Sequence, residues 1–477
     1  MLEVLSSFWF VLVIVFQVLG IIASLNAIWR GRTAQGSIAW SISLLTIPYI
    51  ALPLYLIFGD RKFHGYVNAR RTGDLKLNHL AETLFEKLVE KKLIYKNESS
   101  YYKVLENLSK MPFTLGNDAK LLINGEATFE AIFAGMAEAK DYILIQFYMV
   151  MDDNLGRRLK ELIIRKVYEG VRIFFLYDEI GCHLLPKSYI HDLREKGVKI
   201  FSFRTRKRFS YQLRLNFRNH RKIVVVDGKK AYVGGHNVAD KYMGINPRYG
   251  FWRDTHVQIE GPAVQCIQLP FISDWFWATN SIPDLNWEPQ PSNAGQKKVL
   301  TIASGPADDQ ETCGIFFVHS INSAKRRLWI ISPYFVPDQQ VLMALQLAGM
   351  RGVDVRLMIP QKSDLLLTYL SSFSFLEEIT KAGVKVYRYH KGFLHQKAML
   401  IDEDQAVIGT ANLDNRSFSI NFEINILFAD KDFAVLVEEM MQEDLENSYL
   451  VGAGDYKKRP FWFKLAVKVS RLLAPIQ

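Results

Sequence analysis

The chain has 477 residues, 49% of them hydrophobic, with 59 Lys and Arg against 49 Asp and Glu, a formal net charge of +10. That length can bury a large core in two or more domains, and the positive balance points to an anionic partner, either nucleic acid or an acidic membrane surface. The three cysteines, Cys182, Cys266 and Cys313, lie far apart without C-x-x-C spacing, which argues against a disulfide framework or a zinc site and fits a reducing compartment.

Two uncharged runs open the chain, Val4 to Trp29 and Thr33 to Gly59, each longer than the ~20 apolar residues a membrane-spanning helix needs. With Arg30 and Arg32 in the gap, residues 1–59 read as a transmembrane hairpin. A cleaved signal peptide fits poorly, because Met1-Leu2-Glu3 has no basic residue and a second apolar run follows at once. Arg61, Lys62, Arg70 and Arg71 outnumber the two loop arginines, so the positive-inside bias places the rest of the chain on the cytoplasmic side. Residues 60–110 form a connecting segment with helical spacing at Leu80, Leu84, Leu88 and Leu93.

Two similar blocks follow, predicted over 111–285 and 286–456 and divided by the polar stretch Asn280 to Gln296. In the first, Ala139-Lys140 precedes a strand-like run from Tyr142 to Tyr148, then Gly170-Val171-Arg172 and Gly197-Val198-Lys199 open further strands. In the second, Ala324-Lys325, Gly352-Val353-Asp354 and Gly383-Val384-Lys385 take the same places. Short β-branched strands alternating with amphipathic helices predict a duplicated α/β sandwich, with two mixed or mostly parallel sheets flanked by helices. Only the first block inserts Arg204, Arg206, Lys207, Arg208, Arg214 and Arg218 among Phe203, Phe209, Tyr211 and Phe217. That insert is either a solvated basic loop or a grip on anionic head groups beside the site. Residues 457–477 are basic and amphipathic, with Lys464, Lys468 and Arg471 on one face. They read either as an interfacial helix or as one packed on the catalytic domains.

The chemistry lies in a pattern present twice, H-x-K-x(4)-D-x(6)-G-[GT]-x-N. His220, Lys222, Asp227, Gly234, Gly235 and Asn237 recur as His395, Lys397, Asp402, Gly409, Thr410 and Asn412. The pattern nominates His220, Lys222, Asp227, His395, Lys397 and Asp402 as catalytic and suggests one site built from two halves. On a strand each His and Lys share a face, while Asp227 and Asp402 face the other way and open turns, a mainly structural position. Lys222, Lys397, Asn237 and Asn412 are the expected phosphate-binding groups. One His can attack phosphorus to form a phosphohistidine while the other moves the proton, with opposite starting protonation and a bell-shaped pH dependence. Asp254 in Trp252-Arg253-Asp254 and Glu423 in Asn421-Phe422-Glu423 are nominated to orient the imidazoles. No metal-ligand spacing, P-loop or dinucleotide glycine pattern stands out, so neither a metal nor a cofactor is expected.

The doubled motif resembles that of the phospholipase D superfamily. The likeness runs further toward the bacterial cardiolipin synthases, through Ala39-Trp40 to Gly59, Gly234 to Asp240, Trp252-Arg253-Asp254, Gly409 to Ser417 and Asn421-Phe422-Glu423. It implies a duplicated, pseudo-twofold phospholipase D-type α/β sandwich behind a transmembrane hairpin in a bacterial inner membrane. It matches His220 to the nucleophile and His395 to the general acid/base, an assignment that internal symmetry leaves exchangeable. The implied reaction joins two phosphatidylglycerol molecules into cardiolipin and releases glycerol, with anionic lipids and no nucleic acid as partners. A membrane-bound phospholipase D, hydrolysing lipid to phosphatidic acid, is the competing reading.

Overall fold

A computed structural model describes residues 2–31, 34–59, 64–203, 217–246, 250–293, 295–452, 454 and 456–477. By mutual contacts the chain divides into Met1–Gly65 with Arg204–Phe217, and Tyr66–Phe203 with Arg218–Gln477.

The first unit holds α1 (Leu2–Arg30), α2 (Ala34–Thr46) and α3 (Pro48–Phe58). Within α1, Phe8–Trp29 is long and apolar enough to cross a membrane. The second apolar run differs from the single span expected of it: Pro48, which has no N–H to donate, starts a new helix after Ile47. With 13 and 11 residues, α2 and α3 extend about 20 Å and 16 Å, each short of a ~30 Å hydrocarbon core. Both pack back on α1 through Ala23, Ala27, Leu44 and Ala51, and Tyr55 donates to Asn26 Oδ1 at 2.8 Å.

In the second unit, the first block supplies β1 (Thr114–Ile123), β2 (Tyr142–Phe147), β3 (Arg172–Asp178), β4 (Lys199–Phe203), β5 (Ile223–Val226), β6 (Lys230–Gly234) and β7 (Thr255–Glu260). The second block supplies β8 (Lys297–Ser304), β9 (Arg327–Ile331), β10 (Asp354–Pro360), β11 (Lys385–Tyr389), β12 (Ala398–Ile401), β13 (Gln405–Gly409) and β14 (Asn421–Ala429), and β15 (Ser448–Leu450) closes its edge. The order is β15-β11-β10-β9-β12-β13-β14-β8-β1-β7-β6-β5-β2-β3-β4. Read outward from β1 and β8, the two arms pass through equivalent strands in equivalent order.

One expectation changes here and another narrows. The blocks share one continuous sheet, because β1 and β8 pair antiparallel with Thr114 opposite Val299. Parallel pairing within that sheet is found in β2-β3-β4, in β9-β10-β11 and where Arg218–Asn219 joins the start of β14. Those strands are joined by crossover helices, whereas β5-β6 and β12-β13 are joined by tight turns that force antiparallel pairing. The sheet is therefore mixed. Each arm has its own apolar core, around Ile143, Ile145 and Phe175 in one and around Leu328, Leu357 and Val386 in the other.

Candidate active site

Asp227 and Asp402 occupy the left-handed region, φ +52° and +50°, at the turns after β5 and β12. The Asp227 carboxylate accepts from the N–H groups of Lys140, Asp141 and Tyr142 at 2.8–2.9 Å. Asp402 does the same for Lys325, Arg326 and Arg327 at 2.7–3.1 Å. Both carboxylates are committed to tying the turns to β2 and β9. These hydrogen bonds are of the kind the mainly structural turn position implies. Asp227→Ala should accordingly cost about 2–4 kcal/mol of stability, from three lost charge-assisted hydrogen bonds. Below its lowered melting transition, the variant should keep activity per folded molecule within about twofold, since mutations away from the reacting groups leave transition-state binding intact. Calorimetry and a turnover assay on the same sample check both halves of this expectation.

His220 and His395 lie just before β5 and β12, on segments that pair with the opposite block. Arg218-Asn219 runs parallel to Asn421-Phe422, and Phe393-Leu394 runs parallel to Trp252-Arg253. The N–H of His220 donates to Phe422 O at 2.9 Å, and that of His395 to Arg253 O at 2.7 Å. These crossings bring each imidazole to the acid of the other block. Nδ1 of His220 lies 2.9 and 3.0 Å from the Glu423 oxygens, and Nδ1 of His395 lies 2.6 Å from Asp254 Oδ2. Engaged at Nδ1, each ring presents Nε2 for chemistry.

The acids are held in turn. Glu423 accepts from Thr410 Oγ1 at 2.6 Å, Ser417 Oγ at 3.0 Å and Asn421 Nδ2 at 3.1 Å. Asp254 accepts from the N–H of Thr255 at 2.8 Å. The departure from the double-glycine pattern is explained here. A Cβ at Gly235 would overlap the Asp254 carboxylate, whereas Thr410, its counterpart, uses its hydroxyl to hold Glu423.

Lys222 and Lys397 are buried beside their own histidines. Lys222 Nζ donates to His220 O at 2.6 Å, and Lys397 Nζ donates to His395 O while lying 3.0 Å from His395 Nδ1. Asn237 is turned partly into the fold, accepting from Met149 N–H at 3.1 Å and donating to Tyr242 Oη at 2.8 Å. Among the described residues, Asn412 Oδ1 is buried without a hydrogen-bond partner. Aromatic rings wall the histidines: Tyr148 lies 5.2 Å from His220, and Trp252 lies 5.1 Å from His395, centroid to centroid.

Burial pushes the His220 imidazole down to about 4, with Glu423 opposing and Lys222 adding to the fall. His395 is driven well below the ordinary histidine range by burial and by Lys397 and Lys222. Both shifts favour the neutral imidazole, so the proton that the opposite starting states require on one of them must be supported by a bound anion. Burial opposes ionisation of Glu423, but His220, Lys222 and Thr410 outweigh it and hold the carboxyl below its usual value. Burial also lowers Lys222 well below a normal lysine, and Lys397 to about 8 against the opposing charges of Asp254 and Glu423. An arriving phosphodiester anion would raise the basicity of both imidazoles and both lysines.

A family model described as "Cardiolipin synthase, PLD-like domain" matches residues 132–256 and 317–445, one match in each block. The cardiolipin synthase A of Pseudomonas putida strain KT2440 is 48% identical over 464 residues, 96% of this chain and 96% of the relative. The chain belongs to the cardiolipin synthase family. Another relative, the cardiolipin synthase A of Pseudomonas aeruginosa strain LESB58, is 46% identical over 468 residues, 98% of this chain and 95% of that one. Among solved structures, the phosphatidylserine synthase of Haemophilus influenzae Rd KW20 shares the fold, with a TM-score of 0.60 and 16% identity over 79% of this chain and 100% of that one.

In this member of the cardiolipin synthase family, the sequence reading missed two buried ion pairs that support the site. Arg221, between His220 and Lys222, pairs with Asp274 at 2.8 Å and donates to Glu423 O and Ser304 O at 3.1 Å. Arg253 pairs with Asp444 at 2.6 Å. A signal for the first was present: Asp274 is the lone acid of a helix, Ala263–Thr279, that is otherwise largely apolar and buried. Of the basic insert, Arg204, Arg206, Lys207, Arg208, Phe209, Tyr211 and Arg214 lie outside the described residues, as do Arg61 and Lys62.

Proposed function

We propose that the chain is a phosphatidyltransferase that joins two phosphatidylglycerol molecules into cardiolipin and releases glycerol. The observation that carries this is the crossed arrangement: two imidazoles, each fixed at Nδ1 by an acid from the other block, beside two buried lysines. Its pseudo-twofold symmetry follows the matched strand orders of the two arms. Nε2 of His220 attacks the donor phosphorus, and the bond to the glycerol oxygen breaks as His395, which takes up a proton from solvent when the phosphate anion binds beside it, delivers that proton to the oxygen. The terminal hydroxyl of a second phosphatidylglycerol then loses its proton to His395 and attacks phosphorus, returning the electron pair to His220. Lys222, Lys397, Asn237 and Asn412 bind the phosphoryl oxygens through both steps.

One phosphodiester replaces another, so the reaction is near balance and the intermediate must meet lipid before water. A water-poor setting serves that need. In this reading α1 and the α2–α3 pair form a membrane hairpin. The catalytic blocks, 111–285 and 286–456, then lie at the cytoplasmic face of a bacterial inner membrane, with lipid and not nucleic acid as substrate. Mass spectrometry of lipids after the purified protein meets phosphatidylglycerol vesicles tests the activity. Cardiolipin with an equivalent of glycerol supports it, whereas phosphatidic acid with little cardiolipin would make the protein a hydrolase.

The pH profile of kcat/KM, which reports the free enzyme, should be bell-shaped, because the reaction needs an unprotonated His220, a proton on His395 and a charged Lys397. Below about pH 4 the His220 nucleophile is protonated, so activity falls as pH drops. Above about pH 8 Lys397 loses its charge, so activity falls as pH rises. A profile flat to pH 10 would remove Lys397 from phosphate binding.

A further inference from the structure

The helix Phe461–Leu472 is apolar on two sides, and the catalytic unit uses only one of them. Its inner side is accounted for: Phe463 packs on Phe373 at 5.2 Å, Val467 and Ser470 are buried, and Arg471 pairs with Glu378 at 2.7 Å. Its outer side carries Phe461, Trp462, Val469 and Leu472, with 69%, 75%, 54% and 78% of their surface exposed. A helix that merely packs on its domain would face water with polar residues there. Scattered single apolar residues need no explanation, but a contiguous stripe with two aromatics marks a contact surface.

The contacts also give the direction. Phe463 meets Phe373 while Arg471, two turns on, meets Ser374 and Glu378, so this helix runs alongside the helix Leu366–Lys381 in the same sense. The start of helix 461–472 therefore lies against the middle of helix 366–381, whose own leading end extends about two turns further. At that end Leu365 and Leu366 are exposed, at 50% and 71%. Asp364, just before them, accepts from Tyr334 Oη at 2.8 Å. Tyr334 follows β9, whose last residue, Ile331, pairs with Ala398 next to Lys397. Leu365 and Leu366 thus stand next to a loop that leads toward the catalytic groups.

Charge selects the occupant. Lys457, Lys458, Arg459 and Lys468 are exposed on and just before the helix, and helix 461–472 itself contains no acid. Lysines flanking exposed Trp, Phe and Leu suit the head-group layer of an anionic bilayer, where stems and rings enter the boundary and ammonium groups meet phosphates. We infer that the outer face of helix 461–472 docks the catalytic unit on an anionic lipid surface. The same chain carries in α1 a helix long and apolar enough to cross a membrane, which supplies such a surface.

The test reads position and not catalysis, so it stands or falls apart from the transferase reading. Because Cys182, Cys266 and Cys313 are all buried, Trp462→Cys in the full-length chain can be labelled selectively with an environment-sensitive fluorophore. Met350→Cys, at an equally exposed apolar position (72%) outside this face, is the control. In vesicles containing phosphatidylglycerol, the label at 462 should shift to the blue and lose emission to nitroxide-bearing lipids, while the label at 350 does neither. Adding Lys458→Glu and Lys468→Glu, or replacing phosphatidylglycerol with phosphatidylcholine, should weaken both signals. Equal behaviour at 462 and 350 overturns the docking face. A blue shift without nitroxide quenching overturns it in favour of a protein partner or a second copy, and equal signals in neutral and anionic vesicles overturn the role of charge.

Discussion

Replacing His220 with alanine is expected to lower cardiolipin formation by on the order of three to six orders of magnitude, the loss typical of a removed nucleophile. His395→Ala should lose nearly as much on phosphatidylglycerol, whose glycerol alkoxide needs a proton to depart. The two variants separate when the donor lipid carries a leaving group that departs without one, such as p-nitrophenolate. Given that donor, His395→Ala should form a phosphatidyl adduct on the His220 peptide and hold it, because no base remains to activate the acceptor. His220→Ala should form none. Intact-protein and peptide mass spectrometry read the adduct directly, and its appearance on the His395 peptide in the His220 variant would reverse the two assignments.

Glu423→Gln should reduce kcat by about two to four orders of magnitude, as when a triad carboxylate becomes an amide. The glutamine cannot accept from His220 Nδ1, Thr410, Ser417 and Asn421 together, as the carboxylate does. Its NH2 must point at another donor, and the negative charge that stabilises a positive His220 is gone. Since Glu423 holds the His220 basicity up, the acid limb of kcat/KM should move below about pH 4 in the variant. A residue that only filled space would change the melting temperature and leave that limb in place. Asp254→Asn is the corresponding change on His395.

The doubled pattern made the core of the site legible because His, Lys, Asn and the turn aspartates keep one strand-and-turn register in both blocks. The turn role of Asp227 could be read from its odd spacing and the following glycine. What could not be read was which acid serves which histidine. Asp254 follows His220 in the chain and Glu423 follows His395, yet each serves the other block. That outcome depends on parallel contacts between segments whose paired residues are 203 and 141 positions apart, which local periodicity does not encode. Arg221 was hidden for a related reason, since its partner Asp274 comes from a distant helix. A mixed sheet could not be told from a mostly parallel one because β5 and β12 look like any buried strand until their turns are taken into account. The break at Ile47 was the most local miss, because Pro48 was visible within an otherwise uniform apolar run.

The exchange of acids between blocks has a consequence for how such a chain can change. Copies of a duplicated segment are ordinarily free to diverge, one keeping the task while the other drifts. Here neither copy holds a complete histidine–acid pair, so a loss in either disables both. A polypeptide severed between Asn280 and Gln296 would yield two inert fragments whose activity returns only on reassociation. The duplication has become an obligate partnership within one chain.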